Sequence, residues 1–254
     1  MELARILLII CPLVFIAGFV DAIAGGGGII SLPAYLFAGL PAHFAAGCNK
    51  FSASLGTIIA AGKYFKSGKI DLKIALFSAI GSIFGAGMGT TIALYIDEKN
   101  LETLLLVVLP LVALFLATQK TLGQEPLSHN HSYKKQAILS ISIGLIVGTY
   151  DGLIGPGTGT FLILGFSSFL GLELVTASGC AKVSNLASNL TSMIIFTLSG
   201  KVIFTIAIPA AICSMIGGYI GARFAIKGGS KSVRYIMFLV LALLFAKTFV
   251  DILN

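Results

Sequence analysis

The sequence predicts an all-α protein that crosses a membrane several times and consists of two related halves. Apolar residues make up 57% of its 254 positions and charged residues only 11%, whereas about 25% of a soluble domain is charged. Crossing a bilayer as a helix takes about 20 apolar residues. Runs near this length lie at residues 3–20, 72–95, 101–118, 202–224 and 233–253. We therefore expect a polytopic membrane protein without a large soluble domain.

The first apolar run, residues 3–20, is predicted to be a spanning helix and not a signal peptide. It has one Glu and one Arg near its start instead of a basic segment, and it continues past any small-residue cleavage site. The four cysteines lie in or beside apolar segments without CxxC spacing, so we assign them no disulfide and no redox role. The net charge of +7 indicates no nucleic-acid partner, because the cations lie in short loops, where they set the orientation of a membrane protein.

A run of four glycines follows Asp21 and ends the first helix, because each glycine costs roughly 1 kcal/mol in a helix interior. The next apolar segment, residues 29–40, is short for a bilayer span. The same combination recurs at "GTYDGLIGPGTG" and the short segment 160–172. Non-helical backbone at membrane depth is tolerated only inside protein or beside a water-filled cavity. The two glycine breaks therefore predict a functional site.

Motifs of the first half return in the second half at a nearly constant spacing. "GFVDAIAGGGG" from Gly18 returns from Gly148, at an offset of 130, which pairs Asp21 with Asp151. "AGCNKFS" returns as "SGCAKVS" at an offset of 132, which pairs Lys50 with Lys182. We predict two repeats, residues 1–119 and 136–254, joined by a cytoplasmic linker at 120–135. Each repeat would contain about five apolar helical segments, one of them short and broken.

The distribution of cations predicts that the two repeats are inserted with opposite orientation. The loop "KYFKSGKIDLK" carries four lysines, whereas its counterpart around "SGKV" carries one. The next loop, "YIDEKN", is net negative, whereas its counterpart "ARFAIKGGSKSVR" carries four cations and no acid. Since cytoplasmic loops are enriched in Lys and Arg, the basic loops of both halves would lie inside. Inverted repeats are common in secondary transporters, whose site lies between the halves near the membrane midplane.

The charged residues inside apolar segments are the candidates for chemistry, because a charge at the bilayer centre costs at least about 2.5 kcal/mol. Each lysine lies near the start of an apolar helix with small polar residues, and lysine, hydroxyl, amide and helix N-terminal N–H groups together favour an anion. The predicted substrate-binding residues are Asn49, Lys50, Ser52, Lys182, Ser184, Asn185, Asn189, Gly26, Gly27 and Gly157. Alternatively, each lysine extends to the interface or pairs with the aspartate of its own half.

Two interpretations stay open for Asp21 and Asp151. A buried carboxylate whose surroundings change can load and release a proton, so the two residues are candidates for proton coupling. Alternatively, each forms an ion pair with Lys50 or Lys182, or caps the short helix that follows it. "GGGG" and "GPGTG" lack the Gly-Lys-Ser/Thr ending of a phosphate-binding loop, and no nucleophile–base pair is evident. We therefore expect no enzyme, no cofactor and no bound metal.

The motif series in "GFVDAIAGGGGIISLPAYLFAGLPAHFAAGCNKFSASLG" resembles the N-terminal half of the TauE/SafE sulfite exporter family of membrane transporters. "GTYDGLIGPGTGTFLIL" and "ASGCAKVSNLASNL" resemble the second half of that family, so the resemblance covers essentially the whole chain. Cys48 stands where the family often has Thr, and Ala42 where a second Pro is frequent. Neither difference removes a charge.

The resemblance implies a secondary transporter in the plasma membrane that moves a small sulfur-containing or carboxylate anion, such as sulfite, a sulfonate or sulfoacetate. Because no nucleotide site is evident, we expect coupling to an ion gradient, and protons are the simplest coupling ion. Two alternatives remain. One is a cation or metal permease with Asp21 and Asp151 as ligands, and the other is a membrane subunit that does not itself transport.

Overall fold

A computed structural model describes residues 2–105, 107–108 and 132–253. All regular elements of these residues are α-helices, which confirms the predicted fold class. They are α1 (Glu2–Ala24), α2 (Gly28–Phe37), α3 (Ala42–Lys66), α4 (Leu72–Tyr95), α5 (98–105), α6 (Tyr133–Leu153), α7 (Thr158–Leu170), α8 (Leu174–Leu198) and α9 (Phe204–Leu253). Most of the predicted linker lies outside the described residues, and its last residues belong to α6.

Four helices of the described residues are long and apolar enough to cross a membrane. They cover Leu3–Ala24, Leu72–Tyr95, Tyr133–Leu153 and Phe204–Val233. Large apolar side chains such as Leu8, Phe84 and Ile146 are exposed on the outside of the bundle, where lipid would cover them. α3 and α8 have 25 residues each, and they carry the polar side chains that fill the centre of the molecule.

The short helices α2 and α7 each fold back on the helix that precedes them. Leu32 of α2 packs with Val14 of α1, and the chain then returns to the end of the molecule where α1 begins. In the second half, the rings of Phe161 of α7 and Tyr150 of α6 are in edge-to-face contact, with centroids 5.3 Å apart. The direction of the chain therefore reverses at each glycine break.

The two halves are held together by long helix pairs in which glycine allows the backbones to approach closely. α1 lies along α9, where a Cβ on Gly217 would be 2.1 Å from the carbonyl oxygen of Phe15. α6 lies along α4, where a Cβ on Gly85 would be 2.3 Å from the carbonyl oxygen of Leu145. Such small-residue contacts favour helix association in a membrane. The first helix of each half thus packs on the fourth helix of the other half.

Further contacts between the halves recur at positions 132 residues apart. The Sγ atom of Cys48 accepts a hydrogen bond from the backbone N–H of Ile203 at 3.3 Å. The Sγ atom of Cys180 donates to the backbone oxygen of Asp71 at 3.5 Å. Both the cysteines and their partners are related by the sequence offset. Matching contacts of this kind are expected from a pseudo-twofold axis between the halves.

Most cations of the described loops, from both halves, lie at one end of the bundle, whereas Lys99 and Lys201 lie at the other end. Lys69 of the α3–α4 loop is 3.9 Å from Glu173, which precedes α8, and Glu173 also accepts a hydrogen bond from Ser230 of α9. The Lys63 Nζ atom lies 4.1 Å from the centre of the Tyr219 ring. This end contains Lys63, Lys66, Lys69, Lys73, Lys134, Lys135, Arg223, Lys227 and Lys231. From the positive-inside rule we expect this end to face the cytoplasm.

Candidate functional site

The two glycine breaks meet in the middle of the bundle and border a polar cavity. The cavity has a volume of about 40 Å³ and is lined by residues of both halves. A water molecule needs about 10–15 Å³ on this measure, so the cavity holds a few waters or the oxygen atoms of a small ligand. It therefore lies where the sequence predicts the site, between the halves.

Close backbone contact explains the glycines of the first break. Gly25 has a φ of +79°, and a Cβ on it would lie 2.2 Å from the carbonyl carbon of Gly159 in the second break. Residues that have a side chain rarely adopt this backbone conformation. The hydroxyl of Thr160 donates to the backbone oxygen of Ala24 at 2.8 Å and so satisfies a carbonyl at the end of α1. The break is thus an ordered junction between the halves.

The helix N-termini at the cavity are those of α2 and α7, which corrects one expectation. Lys50 and Lys182 lie about two turns inside α3 and α8, because these helices begin directly after Pro41 and Glu173. In contrast, Gly28 and Thr158, the first residues of α2 and α7, line the cavity. The first N–H groups of a helix have no partner within the helix and carry partial positive charge. The N–H groups of Ile29, Ile30 and Thr158 bond to carbonyls of the glycine breaks. Among the described residues, the N–H groups of Gly28 and Gly159, which line the cavity, have no backbone acceptor and are the helix donors that remain.

Each buried lysine forms an ion pair with the aspartate of the other half. The Lys50 Nζ atom is 2.8 Å from Asp151 Oδ1, and the Lys182 Nζ atom is 2.8 Å from Asp21 Oδ2. Lys182 also donates to the backbone oxygen of Asp21. Among the interpretations left open by the sequence, the structure therefore contains the ion pairs, and it pairs each lysine across the halves and not within its own half.

The environments of the two aspartates differ. Besides Lys50, Asp151 accepts hydrogen bonds from Thr158 Oγ1 at 2.8 Å and Ser188 Oγ at 2.6 Å, and its side chain is only 3% exposed. Asp21 lines the cavity with a side chain that is 20% exposed. Within the described part of the chain, its Oδ1 atom accepts no hydrogen bond. Both oxygens of the buried Asp151 carboxylate are thus hydrogen-bonded by protein groups, whereas Asp21 has one free oxygen facing the cavity.

Three asparagines at the cavity have their amide oxygens occupied by protein donors. Ser31 Oγ donates to Asn49 Oδ1 at 2.6 Å, Asn189 Nδ2 donates to Asn185 Oδ1 at 3.1 Å, and Lys50 Nζ donates to Asn189 Oδ1 at 3.2 Å. The Nδ2 groups of Asn49 and Asn185 donate to no residue that the structure describes, although both asparagines are at least nine-tenths buried. Since a buried donor without a partner costs about 1–3 kcal/mol, these groups require an acceptor in the cavity.

The structure places most of the predicted site residues at the cavity but not all of them. Asp21, Gly27, Asn49, Lys50, Ser52, Asp151, Asn185 and Asn189 line it. Lys182 lies behind Asp21, and Gly26 and Gly157 belong to the breaks without lining the cavity. Ser184 faces α4, where its hydroxyl is 2.7 Å from that of Ser78 and 2.8 Å from that of Ser82. α8 packs between α3 and α4, so only its α3 side reaches the cavity.

Several hydroxyl residues at the site were not predicted from the sequence, among them Ser31 and Thr158. Ser31 orients Asn49, and Thr158 donates to Asp151. Both belong to the first turn of a short helix that follows a glycine break. A hydroxyl residue in the first turn after each break is the signal that would have identified them.

A further charged pair lies away from the cavity, at the end opposite the basic residues. His43 Nδ1 is 2.5 Å from Glu98 Oε2, and the backbone N–H of His43 donates to Glu98 Oε1 at 3.1 Å. Partial burial alone would raise the pKa of the Glu98 carboxyl, but the hydrogen bonds and the charge of His43 outweigh this effect and hold the pKa below its ordinary value. The pair joins the start of α3 to the start of α5.

Comparison with known proteins identifies one matching family model and several relatives named as membrane transporters. A family model described as sulfite exporter TauE/SafE matches residues 10–248. The chain is 32% identical over 226 residues to the probable membrane transporter protein ORF9 of Sinorhizobium sp., covering 89% of this chain and 85% of that protein. It is 31% identical over 237 residues to a probable membrane transporter protein of Haemophilus influenzae, covering 93% and 92%. It is 29% identical over 236 residues to the probable membrane transporter protein YfcA of Escherichia coli K12, covering 93% and 87%. No solved structure gives a significant match.

Proposed function

The chain belongs to the sulfite exporter TauE/SafE family and is a multi-pass membrane transporter, and we propose that it moves a small sulfur-containing or carboxylate anion by secondary transport. The proposed substrates are sulfite, a sulfonate or sulfoacetate. The observation that carries this proposal is the set of donors at the cavity. The buried Nδ2 groups of Asn49 and Asn185 lack acceptors among the described residues, and the N-termini of α2 and α7 add backbone N–H groups.

These donors select for a ligand with several acceptor oxygens. The amide oxygens that would bind a hydroxyl or an ammonium group are already occupied by Ser31, Lys50 and Asn189. A sulfonate, sulfite or carboxylate group presents only acceptors and so matches these donors. Asp21 Oδ1 could accept from one donor of a ligand, but further N–H or O–H groups would face the Nδ2 groups, at a cost of about 1–3 kcal/mol for each unsatisfied group.

We also propose that residues 1–119 and 136–254 form inverted repeats that move against each other to alternate access to the cavity. The shared end of the basic loops and the matched contacts 132 residues apart support this arrangement. In this mechanism, the crossed ion pairs Lys50–Asp151 and Lys182–Asp21 join the two halves at the cavity. Protons are the proposed coupling ion.

The cation permease is a weaker alternative. Each aspartate lies 2.8 Å from a lysine ammonium group, so a metal ion would have to displace a buried cation from the same carboxylate. Hard cations also require several oxygen ligands, and the asparagine oxygens at the cavity already accept hydrogen bonds from the protein.

Uptake into proteoliposomes tests the proposal. The labelled anions are sulfite, sulfoacetate, acetate and sulfate, with taurine as a zwitterionic control, each with and without a pH gradient. Asn185→Asp replaces the free donor by a carboxylate of the same shape and is expected to abolish saturable uptake. Asn100→Asp is the matched control, because Asn100 is exposed and lies away from the cavity.

Saturable uptake of one anion that is lost in Asn185→Asp but kept in Asn100→Asp is the expected result. If none of the anions is transported, or if Asn185→Asp transports as well as the wild type, the anion site is not where we place it. Transport of a divalent metal ion by the same preparation would support the permease instead.

A further inference from the structure

The four buried charges at the cavity sum to zero, and this balance bears on how an anion is accommodated. We infer that Asp21 takes up one proton as the anion enters the cavity, so that one proton and one anion cross together. The inference rests on the proposed anion transport and adds the identity of the proton acceptor and the stoichiometry. Lys50 and Lys182 supply two positive charges, and Asp21 and Asp151 supply two negative ones.

Charge balance explains why an anion alone is poorly accommodated. Both ammonium groups are already neutralised by a carboxylate at 2.8 Å. An incoming anion would therefore add an uncompensated negative charge to a site with little water, next to the Asp21 carboxylate on the cavity wall. Proton uptake by an aspartate removes the nearest like charge. It also leaves one lysine without a carboxylate partner, so that its positive charge balances one negative charge of the anion.

Geometry assigns the proton to Asp21 and not to Asp151. The Asp151 carboxylate accepts hydrogen bonds on both oxygens, from Lys50, Thr158 and Ser188, and each of these donors stabilises the ionised form. Asp21 accepts from Lys182 through Oδ2, whereas its Oδ1 accepts from no described residue. Its side chain is 20% exposed, against 3% for Asp151. A proton from the cavity can therefore reach Asp21 Oδ1 without breaking a hydrogen bond.

The groups that face Asp21 from the surrounding helices are consistent with this assignment. The charged groups are Lys182 of α8 in direct contact, and Lys50 of α3 with Asp151 of α6 on the cavity wall. The hydroxyl of Tyr64 of α3 donates to the backbone oxygen of Ala22, one residue away. The lining contributed by the described residues of α2, α7 and α9 consists of glycine, serine and threonine. When Asp21 is protonated, Lys182 keeps its hydrogen bond to the Asp21 backbone oxygen.

Calorimetric proton counting on the purified protein tests the inference. Sulfoacetate is titrated in two buffers of different ionisation enthalpy between about pH 6 and 8, where both of its acid groups stay ionised. The wild type is expected to take up one proton per bound sulfoacetate where Asp21 is ionised. The affinity should then fall by about tenfold for each unit of rising pH. Asp21→Asn is expected to bind without proton uptake and with an affinity that does not depend on pH.

The matched variant at the repeat-related pair is Lys50→Met/Asp151→Asn. It removes one charge of each sign and leaves the cavity neutral, so proton uptake is expected to persist in it. If the wild type binds sulfoacetate without taking up a proton, the inference is wrong although the anion site stands. Persistent uptake in Asp21→Asn would also overturn it, because the proton acceptor would then lie elsewhere. If neither sulfoacetate nor any other anion of the transport panel binds the wild type, the proposed function fails together with the inference. The wild-type proton count stands even if a variant does not fold.

Discussion

The buried ion pair between Lys50 and Asp151 allows a quantitative test of how the two halves are held together. Lys50→Met removes the ammonium group and leaves the Asp151 carboxylate, which is 3% exposed, with two hydroxyl donors and no countercharge. Removing one partner of a buried pair typically costs about 3–5 kcal/mol. A protein of this size loses about 2–4 °C in melting temperature per kcal/mol. We therefore expect Lys50→Met to melt about 6–20 °C below the wild type.

The double variant Lys50→Met/Asp151→Asn separates the lost attraction from the cost of an unpaired charge. It leaves no charge behind, and replacing both members of a buried pair is often close to neutral. It should therefore melt well above Lys50→Met and close to the wild type. Lys182→Met is the matched comparison in the other half. Its effect should be smaller than that of Lys50→Met, because its partner Asp21 is 20% exposed and faces the cavity.

Far-UV circular dichroism in detergent measures these melting temperatures, since the chain has no tryptophan to report unfolding by fluorescence. A thiol-reactive dye gives an independent measurement, because Cys48 and Cys180 are buried and become accessible only on unfolding. If Lys50→Met and the double variant melt at the same temperature, Asp151 is not an unpaired buried charge in the single variant. That result would refute the pairing across the halves.

Three further predictions concern the breaks, the outer charged pair and the cavity. Gly25→Ala should prevent folding or lower the melting temperature sharply, because its Cβ would overlap backbone atoms and its φ is +79°; Gly62→Ala, which meets nothing within 4 Å, should stabilise its helix by up to about 1 kcal/mol. The fold lowers the pKa of the Glu98 carboxyl. The ionised carboxyl therefore stabilises the protein above pH 4.5, its ordinary pKa, and this stabilisation is lost as the pH falls below that value. The melting temperature of Glu98→Gln should lack this part of the acid dependence. Thr158→Val removes a hydrogen bond to Asp151 and should cost about 1–2 kcal/mol in thermal unfolding, whereas an unchanged melting temperature would show that this bond is not needed to hold the carboxylate.

The position of the site could be predicted because it depends on local features of the chain. Four consecutive glycines cannot remain helical at membrane depth, and such backbone must lie inside protein or beside a cavity. The recurrence of the pattern around Asp151 then predicted a second break of the same kind. The glycine breaks, both aspartates, Lys50 and the asparagines were found in this way.

The partners of the buried charges could not be predicted, because they depend on how distant helices pack. Lys182 contacts Asp21, 161 residues away, whereas pairing with the aspartate of its own half was one of the alternatives that the sequence left open. Ser52 and Ser184 occupy matching positions in the two repeats, yet Ser52 lines the cavity whereas Ser184 bonds to α4. A sequence repeat predicts that two residues occupy corresponding positions in their halves, but the helices that surround those positions differ.

The sequence by itself determined that this protein is helical, spans the membrane several times and breaks two helices at related positions. These properties follow from the length and hydropathy of single segments and from the helix cost of glycine. Only the tertiary structure decided that each lysine is neutralised by the other half and that the free side-chain donors are amides. It also decided that Asp21 keeps one free oxygen, whereas both oxygens of Asp151 accept hydrogen bonds. Ion pairing and burial depend on which helices meet, and the close packing of α1 on α9 and of α6 on α4 sets that arrangement over more than a hundred residues of chain.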